Sequence, residues 1–441
     1  MHRRTRTLTV AVSTLALTAA PLAASALGST PTSSPDRADS LLAGPTAAAA
    51  AVGADETALR EQVQQAAEQA RAQHATPRAT RDGRTTAVPG SAQLKAGLDQ
   101  LVADGAVGVT AQVETADQTW AGSAGTTTLD GSDPALTIAD FRAASNTKMM
   151  VATLVMQEVE AGTWTLDTRV DDIIPGLFPA HPEVTIRHLL GHTSGAPLGT
   201  YELITPYIED PTDWEDFVGA LSRDYDDQEH VDAVNAVPWA TEPGTSMTYS
   251  NAGYVALGML LEEVNGRTVA NLLRERVLRP TGLRNTSLPT VSDRRGSGLQ
   301  GAMFTEQGWF PLPDFDPDVF SHSGSVVTTA ADLNDFTEAL MSGELVDQST
   351  VDTMVTPSVP NELNYGLGMY AIPDPCTEPG EPVEYLYGHD GATFDTLSLA
   401  FSSRDGSRQF SLGVAGRDLT ATQDGLYDIN DALVPLLLAT C

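Results

Sequence analysis

Apolar and polar positions alternate along Val107–Glu114 (VGVTAQVE) and Gln118–Gly125, the period-two pattern of a half-buried strand pair. Three further strand-like runs lie near the other end of the chain: Pro382–Gly388, Thr396–Ser402 and Gln409–Ala415. Between these two sets the period lengthens. Met149–Glu160, Gly253–Val264 and Ala331–Met341 read as helices, the first stopped by Gly162 and the second by Asn265-Gly266. Ser91–Ala103 and Leu426–Ala439 are predicted helices too, the latter carrying an internal Pro435. Strands from both chain ends around a helical middle predict an α/β (α+β) fold with one antiparallel sheet of five strands, flanked by helices. An all-helical subdomain is inserted in the middle, and a cleft is expected where it meets the sheet.

The first ninety residues follow another pattern. His2-Arg3-Arg4-Thr5-Arg6 is a basic n-region, Leu8–Leu22 is apolar, and Ala24-Ser25-Ala26 is an A-x-A cleavage site. Residues 1–26 therefore read as a secretory signal, which predicts an extracellular protein. Residues 27–90 read as a low-complexity linker or propeptide. Leu27–Ala51 is Ala, Ser, Thr and Pro with little to bury, and Asp55–His74 is a helix whose apolar bulk is only Leu59 and Val63. Such a helix is expected to be marginal and isolated. The folded domain is placed at residues 91–441.

Charge and cysteine content narrow the function classes. The 441 residues carry 25 Lys plus Arg against 58 Asp plus Glu, a formal net charge of −33. Nine basic and seven acidic side chains fall in residues 1–90, which leaves 16 basic and 51 acidic in residues 91–441. A field of that sign repels phosphate backbones and anionic membrane surfaces, which excludes nucleic acid as a partner. No run after the signal approaches about 18 uninterrupted apolar residues, so no stable membrane insertion is expected, and a soluble monomer is. Glu209–Asp232, with ten acidic residues against Arg223, reads as a solvated loop and helix, or a lid if it lies at the cleft. In an oxidising compartment Cys376 and Cys441 are a candidate disulfide clipping the C-terminal helix, with a chain-entropy contribution of about 4 kcal/mol. Two cysteines leave no CxxC metal site, and His188 and His192 lack the H-E-x-x-H context of a zinc site.

The chemistry begins at Ser145-Asn146-Thr147-Lys148, where a helix start places both functional side chains on one face. The ammonium reaches the hydroxyl, and the helix N-terminus puts partial positive charge near a developing oxyanion. The chain has only two lysines, Lys95 and Lys148, so this spacing is a rare coincidence on composition alone. A second run, Tyr249-Ser250-Asn251, puts a phenol and an amide on a turn ahead of a helix; a phenol beside an ammonium suits a general base. A third, His389-Asp390-Gly391-Ala392, ends a late strand, where the glycine lets a substrate lie close. No serine has glycine two residues before and two after it, so a nucleophile-elbow hydrolase is disfavoured.

In this order the three runs resemble the serine beta-lactamase and penicillin-binding superfamily, over about residues 91–441. Leu189-Leu190-Gly191-His192-Thr193-Ser194-Gly195 and Gly324–Leu333 are similar to further runs of that family. Tyr-Ser-Asn followed by a His-led third run resembles the secreted D-alanyl-D-alanine carboxypeptidases more than class C beta-lactamases. The resemblance implies Ser145 as acylated nucleophile, Lys148 as its proton partner and Tyr249 as general base and leaving-group acid. It implies Asn251 on the substrate amide, His389 lining the cleft, and the N–H groups of Ser145 and Ala392 as oxyanion hole. No cofactor and no metal are implied. The implied partners are a small peptide, beta-lactam or ester substrate, and peptidoglycan. Asp390 and Ala392 depart from the family pattern, which has hydroxyl residues there to hold a substrate carboxylate. That departure keeps an ester, an amide or a D-amino-acid amide open as the substrate, besides a beta-lactamase and a non-catalytic cell-wall sensor.

Overall fold

The computed structural model describes residues 45–74, 90–210, 212–289, 298–312, 315–419 and 426–441, which belong to one compact unit, Ala43–Cys441. The signal and the start of the linker lie outside the described residues. Six strands form the main antiparallel sheet: β1 (Gly108–Thr115), β2 (Gln118–Gly125), β3 (Tyr370–Pro373), β4 (Tyr385–Ala392), β5 (Thr396–Ser403) and β6 (Arg408–Ala415). Their order is β2-β1-β6-β5-β4-β3, so the strands from the two chain ends meet at the β1–β6 pair. The expected five strands are thus joined by a sixth, β3, at the edge. It is only four residues long and ends at Pro373, too short for its alternation to show in the sequence.

The helices that position the site are α1 (Pro45–His74), α2 (Ser91–Ala103), α3 (Thr147–Glu160), α4 (Thr200–Ile204), α5 (Trp214–Leu221), α6 (Asp227–Asn235), α7 (Asn251–Asn265), α8 (Ala330–Met341) and α9 (Asn430–Ala439). α2 and α9 cover one sheet face. Leu94, Leu98, Leu433 and Leu437 pack there on Val109, Ala111, Leu399, Phe401, Phe410 and Leu412. α8 covers the other face, α3 packs on α7, and α4–α7 form the inserted subdomain. α3 buries Met149, Met150, Val151, Leu154, Val155 and Met156 on all sides, as a helix at the centre of a large core does.

Two expectations change. The helix expected over Asp55–His74 forms and is longer, but it is docked rather than isolated: Leu59, Val63, Ala66, Ala67 and Ala70 are buried against the same core as α9. Three alanines let two helices approach closely, so little apolar bulk is needed to dock one. The acidic stretch Glu209–Asp232 is more than a solvated loop. Trp214, Phe217, Leu221 and Tyr225 pack with Phe315, Phe320 and Phe394, while Asp227 turns inward, accepting from the Ser321 hydroxyl and lying 2.9 Å from His322 Nε2. Cys376 and Cys441 are disulfide-bonded, joining the segment after β3 to the end of α9. Among the described residues no helix is long and apolar enough to cross a membrane.

Candidate active site

Ser145 lies in a 3-10 turn, Ala144–Asn146, that leads into α3. The preceding Ala144 has φ of +48°, a left-handed backbone costing about 1–3 kcal/mol in a residue with a Cβ. Neighbouring groups hold the turn in that shape. Arg142 donates to Asp395 at 3.3 Å and to the Phe315 carbonyl, and the Ser398 hydroxyl donates to the Ala143 carbonyl at 2.6 Å. Asn146 Nδ2 adds a bond to Ser398 Oγ at 2.8 Å, tying the turn to β5.

One turn into α3, Lys148 Nζ lies 2.9 Å from Ser145 Oγ, 2.7 Å from Asn251 Oδ1 and 2.9 Å from the Ser323 carbonyl oxygen. The amide and the carbonyl oxygen can only accept, so they take two N–H groups. The third direction of the nitrogen faces Ser145, and it holds an N–H in the ammonium and a lone pair in the amine. A proton therefore crosses between oxygen and nitrogen without any heavy atom moving.

Tyr249 closes another side. Lys148 Nζ is 4.9 Å from its ring centroid, and Arg60 Cζ of α1 is 3.9 Å from the same centroid. The phenol thus sits in a positive field from two cations. The next residue, Ser250, is the N-cap of α7; its hydroxyl accepts from Gly253 N–H and donates to the Pro197 carbonyl at 2.6 Å. This fixes the loop that carries Tyr249. Asn251 Nδ2 donates to Thr200 Oγ1 at 2.9 Å, so both ends of the amide expected to bind substrate are engaged by protein.

Two histidines and a tyrosine form a buried chain behind Tyr249. The Ser250 N–H donates to His192 Nδ1 at 3.2 Å, and His192 Nε2 lies 3.1 Å from Tyr365 Oη, which lies 3.1 Å from His389 Nε2. Burial holds the pKa of His192 well below its ordinary value and that of His389 down to about 3, so both rings are neutral. Burial pushes Tyr365 up, so it keeps its proton. The directions follow: His192 donates from Nε2 to Tyr365, Tyr365 donates to His389 Nε2, and His389 donates from Nδ1 to the Asp390 carbonyl. The His192 ring is 4.1 Å from that of Tyr249, which the chain thereby supports.

His389, Asp390, Gly391 and Ala392 form the end of β4. β3 pairs only with Tyr385–Gly388, so within the sheet the last four residues are paired with β5 alone. A Cβ at Gly391 would lie 2.5 Å from the Ala143 carbonyl oxygen and 2.9 Å from Ala144 Cβ. Only glycine lets the strand approach the Ser145 turn this closely. The Asp390 carboxylate is fully buried and pairs with Arg60 Nε at 3.2 Å.

The expected site residues of all three runs are therefore brought into one cluster, from helix, loop and strand end. Arg60, Tyr365 and Ser398 belong to it without any sign in the sequence, and His192 stood only in a run of unassigned role. Arg60 lies in an alanine-rich helix 85 positions before Ser145. No spacing rule connects it to the site.

With this geometry in hand, comparison with known proteins gives the family. Residues 92–403 match the Beta-lactamase family, and the chain belongs to it. Penicillin-binding protein 4 of Amycolatopsis lactamdurans is 35% identical over 200 residues, covering 44% of this chain and 48% of that protein. Esterase EstB of Burkholderia gladioli is 34% identical over 161 residues, covering 35% of this chain and 40% of its own. The chain spans about half the length of the curated relatives it matches. Among solved structures, a D-stereospecific amidohydrolase from a Streptomyces species superposes with a TM-score of 0.66 at 25% identity, covering 74% of this chain and 95% of that one.

Proposed function

We propose that this protein is an exported serine hydrolase that works through an acyl-enzyme, a penicillin-binding D-alanyl-D-alanine carboxypeptidase in its first reading. The observation that carries the catalytic part is Lys148 Nζ held between Ser145, Asn251 and the Ser323 carbonyl. In the forward step the Ser145 proton passes, directly or by way of Lys148, to the Tyr249 phenolate while Oγ attacks the substrate carbonyl carbon. The N–H groups of Ser145 and Ala392 receive the oxyanion. Tyr249, in the field of the two cations, returns the proton to the leaving group as its bond to carbon breaks. Water then repeats the sequence on the acyl-serine and releases the acid. The likeness to penicillin-binding protein 4 supports the penicillin-binding part of this reading, and a 28% identity over 152 residues to the "Putative D-alanyl-D-alanine carboxypeptidase" of Escherichia coli supports the carboxypeptidase part.

A second reading, an amide or ester hydrolase whose substrates lack a terminal carboxylate, is favoured by Asp390. Asp390 stands where the family pattern has a hydroxyl residue to hold a substrate carboxylate, and its own carboxylate is buried and engaged by Arg60; the solved neighbour is titled a D-stereospecific amidohydrolase. One experiment tests both. The folded protein is incubated with labelled penicillin and the adduct mapped by mass spectrometry, then release of D-Ala from a D-Ala-D-Ala peptide is compared with hydrolysis of p-nitrophenyl acetate and a D-amino-acid amide. An adduct on Ser145 with peptide turnover supports the first reading; amide or ester turnover without D-Ala release supports the second. A folded protein that neither binds penicillin nor turns over any of these, both intact and after cleavage between residues 74 and 90, rejects both and leaves a non-catalytic sensor.

A further inference from the structure

The mouth of the cleft is occupied by part of the chain itself. α1 contacts β3, β4 and α9 on the sheet side and α4 and α5 on the subdomain side, so it bridges both walls. Two side chains fasten it. Gln64 Nε2 donates to the Ala371 carbonyl on β3 at 2.8 Å, and Arg60 reaches further in, onto Asp390 and the Tyr249 ring. Arg60 is 3% exposed. The groups beneath are closed to solvent: Ser145 is 3% exposed, Lys148 and His389 are fully buried, and Tyr249 Oη is buried as an atom. A cavity of about 530 Å³ outside α1, lined by Arg60, Glu61, Gln64, Met247, Asn361 and Leu363, has Arg60 as a wall and does not include Ser145.

A hydroxyl that must attack a carbonyl needs space for the carbonyl, its substituents and a departing group. Ser145 is almost wholly buried, and Arg60 lies against Tyr249 and Asp390 of the same cluster. The docking of α1 is of a kind that can be reversed. Its described buried face is Leu59, Val63 and three alanines, a small apolar contact, and a helix of this composition gains little stability on its own. Its most inward contact is a salt bridge to the buried carboxylate of Asp390, at the end of β4.

We propose that α1 is an intramolecular strap that keeps the catalytic hydroxyl closed to acyl donors, latched by Arg60 on Asp390 and Tyr249, and that turnover requires its withdrawal. This rests on the serine hydrolase reading for its meaning, but the closure itself is testable without catalysis.

The test uses the full chain carrying Ser145→Cys, with a protease recognition sequence inserted within residues 75–89. The chain's two native cysteines are paired with each other, so alkylation by a fluorescent iodoacetamide reports access to position 145 whatever the site's chemistry. Cutting the folded protein, or replacing Arg60 by Ala in the uncut chain, is expected to raise the alkylation rate at least tenfold, with the far-ultraviolet circular dichroism losing no more than the signal of the 30-residue α1 and the unfolding transition of the remaining domain retained. Leu59→Glu, which puts a charge into the docking face, is expected to do the same. A rate that stays the same or falls in all three overturns the strap. The chain with its native serine is then treated with labelled penicillin. Faster acylation after cutting supports the proposal; equal acylation before and after overturns it and leaves the hydrolase reading intact. Faster alkylation with no penicillin adduct in any form supports the strap and counts against the penicillin-binding reading.

Discussion

Lys148 and Asn251 stand 103 positions apart in the chain, and their side chains meet at 2.7 Å. The contact turns Asn251 into a holder of the ammonium, because its other end is anchored to Thr200. Asn251→Ala is therefore expected to lower kcat by about 10²-fold, the scale of misplaced acid–base groups, with KM little changed. Lys148→Ala is expected to lower kcat by about 10³-fold or more. Steady-state hydrolysis of a chromogenic ester or nitrocefin measures both. A change confined to KM in Asn251→Ala would return that residue to a substrate-binding role.

The approach of β4 to the nucleophile turn depends on a missing side chain. In Gly391→Ala the new Cβ meets the Ala143 carbonyl and Ala144, neither of which can swing aside. A loss of about 1–3 kcal/mol in stability is expected, together with a larger loss in acylation as Ala392 is pushed away from Ser145. Denaturant unfolding and penicillin acylation rates separate the two effects. Wild-type values for both would mean that the strand end shifts freely.

Tyr365→Phe removes the middle of the His192–Tyr365–His389 chain and leaves a buried ring N–H and a buried ring nitrogen without partners. About 1–3 kcal/mol of destabilisation follows from unmet hydrogen-bonding capacity. Urea unfolding with intact slope measures it.

The neutral state of His389 has a definite pH signature. Its folded pKa, lowered to about 3 chiefly by burial, lies below the ordinary value of 6.5. Below pH 6.5 the unfolded chain takes up a proton that the folded protein refuses. The stability this residue contributes is whole above 6.5 and is lost as pH falls toward 3, with a slope of about 1.4 kcal/mol per pH unit. Compared with His389→Asn, the wild type is expected to lose stability more steeply between pH 6.5 and 4. Nitrogen-15 spectra should show the Nδ1–H form throughout that range. A titration midpoint near 6.5, or an Nε2–H signal, contradicts the chain of bonds described above.

Reduction of the Cys376–Cys441 bond releases a loop of 65 residues in the unfolded chain. An entropic loss of about 4 kcal/mol is expected, visible as a lower Tm in reducing buffer. An unchanged Tm would mean that the end of α9 is held by packing alone.

The sequence by itself determined five strands of the main sheet, several of the helices and the pairing of Ser145 with Lys148. Alternation along Gln118–Gly125 and Thr396–Ser403 and helical spacing over Ser91–Ala103 and α3 are local signals, and the observed boundaries fall at or within two residues of the predicted ones. Ser145 and Lys148 were legible for the same reason: one helical turn brings them together, so their spacing in the chain is their spacing in space. What only the tertiary structure decided involves partners far apart in sequence. Whether Asp390 faced the cleft, what Asn251 bound, and where α1 lay all depended on docking across the fold. The sixth strand was invisible because four residues carry too little period. The docking of α1 is not legible in its sequence because helix docking is set by the shape of the surface it meets, here another helix and a sheet edge, and small apolar side chains fit it. Arg60 belongs to the site through that docking, so its position beside Tyr249 was settled by packing and left no trace in the order of residues.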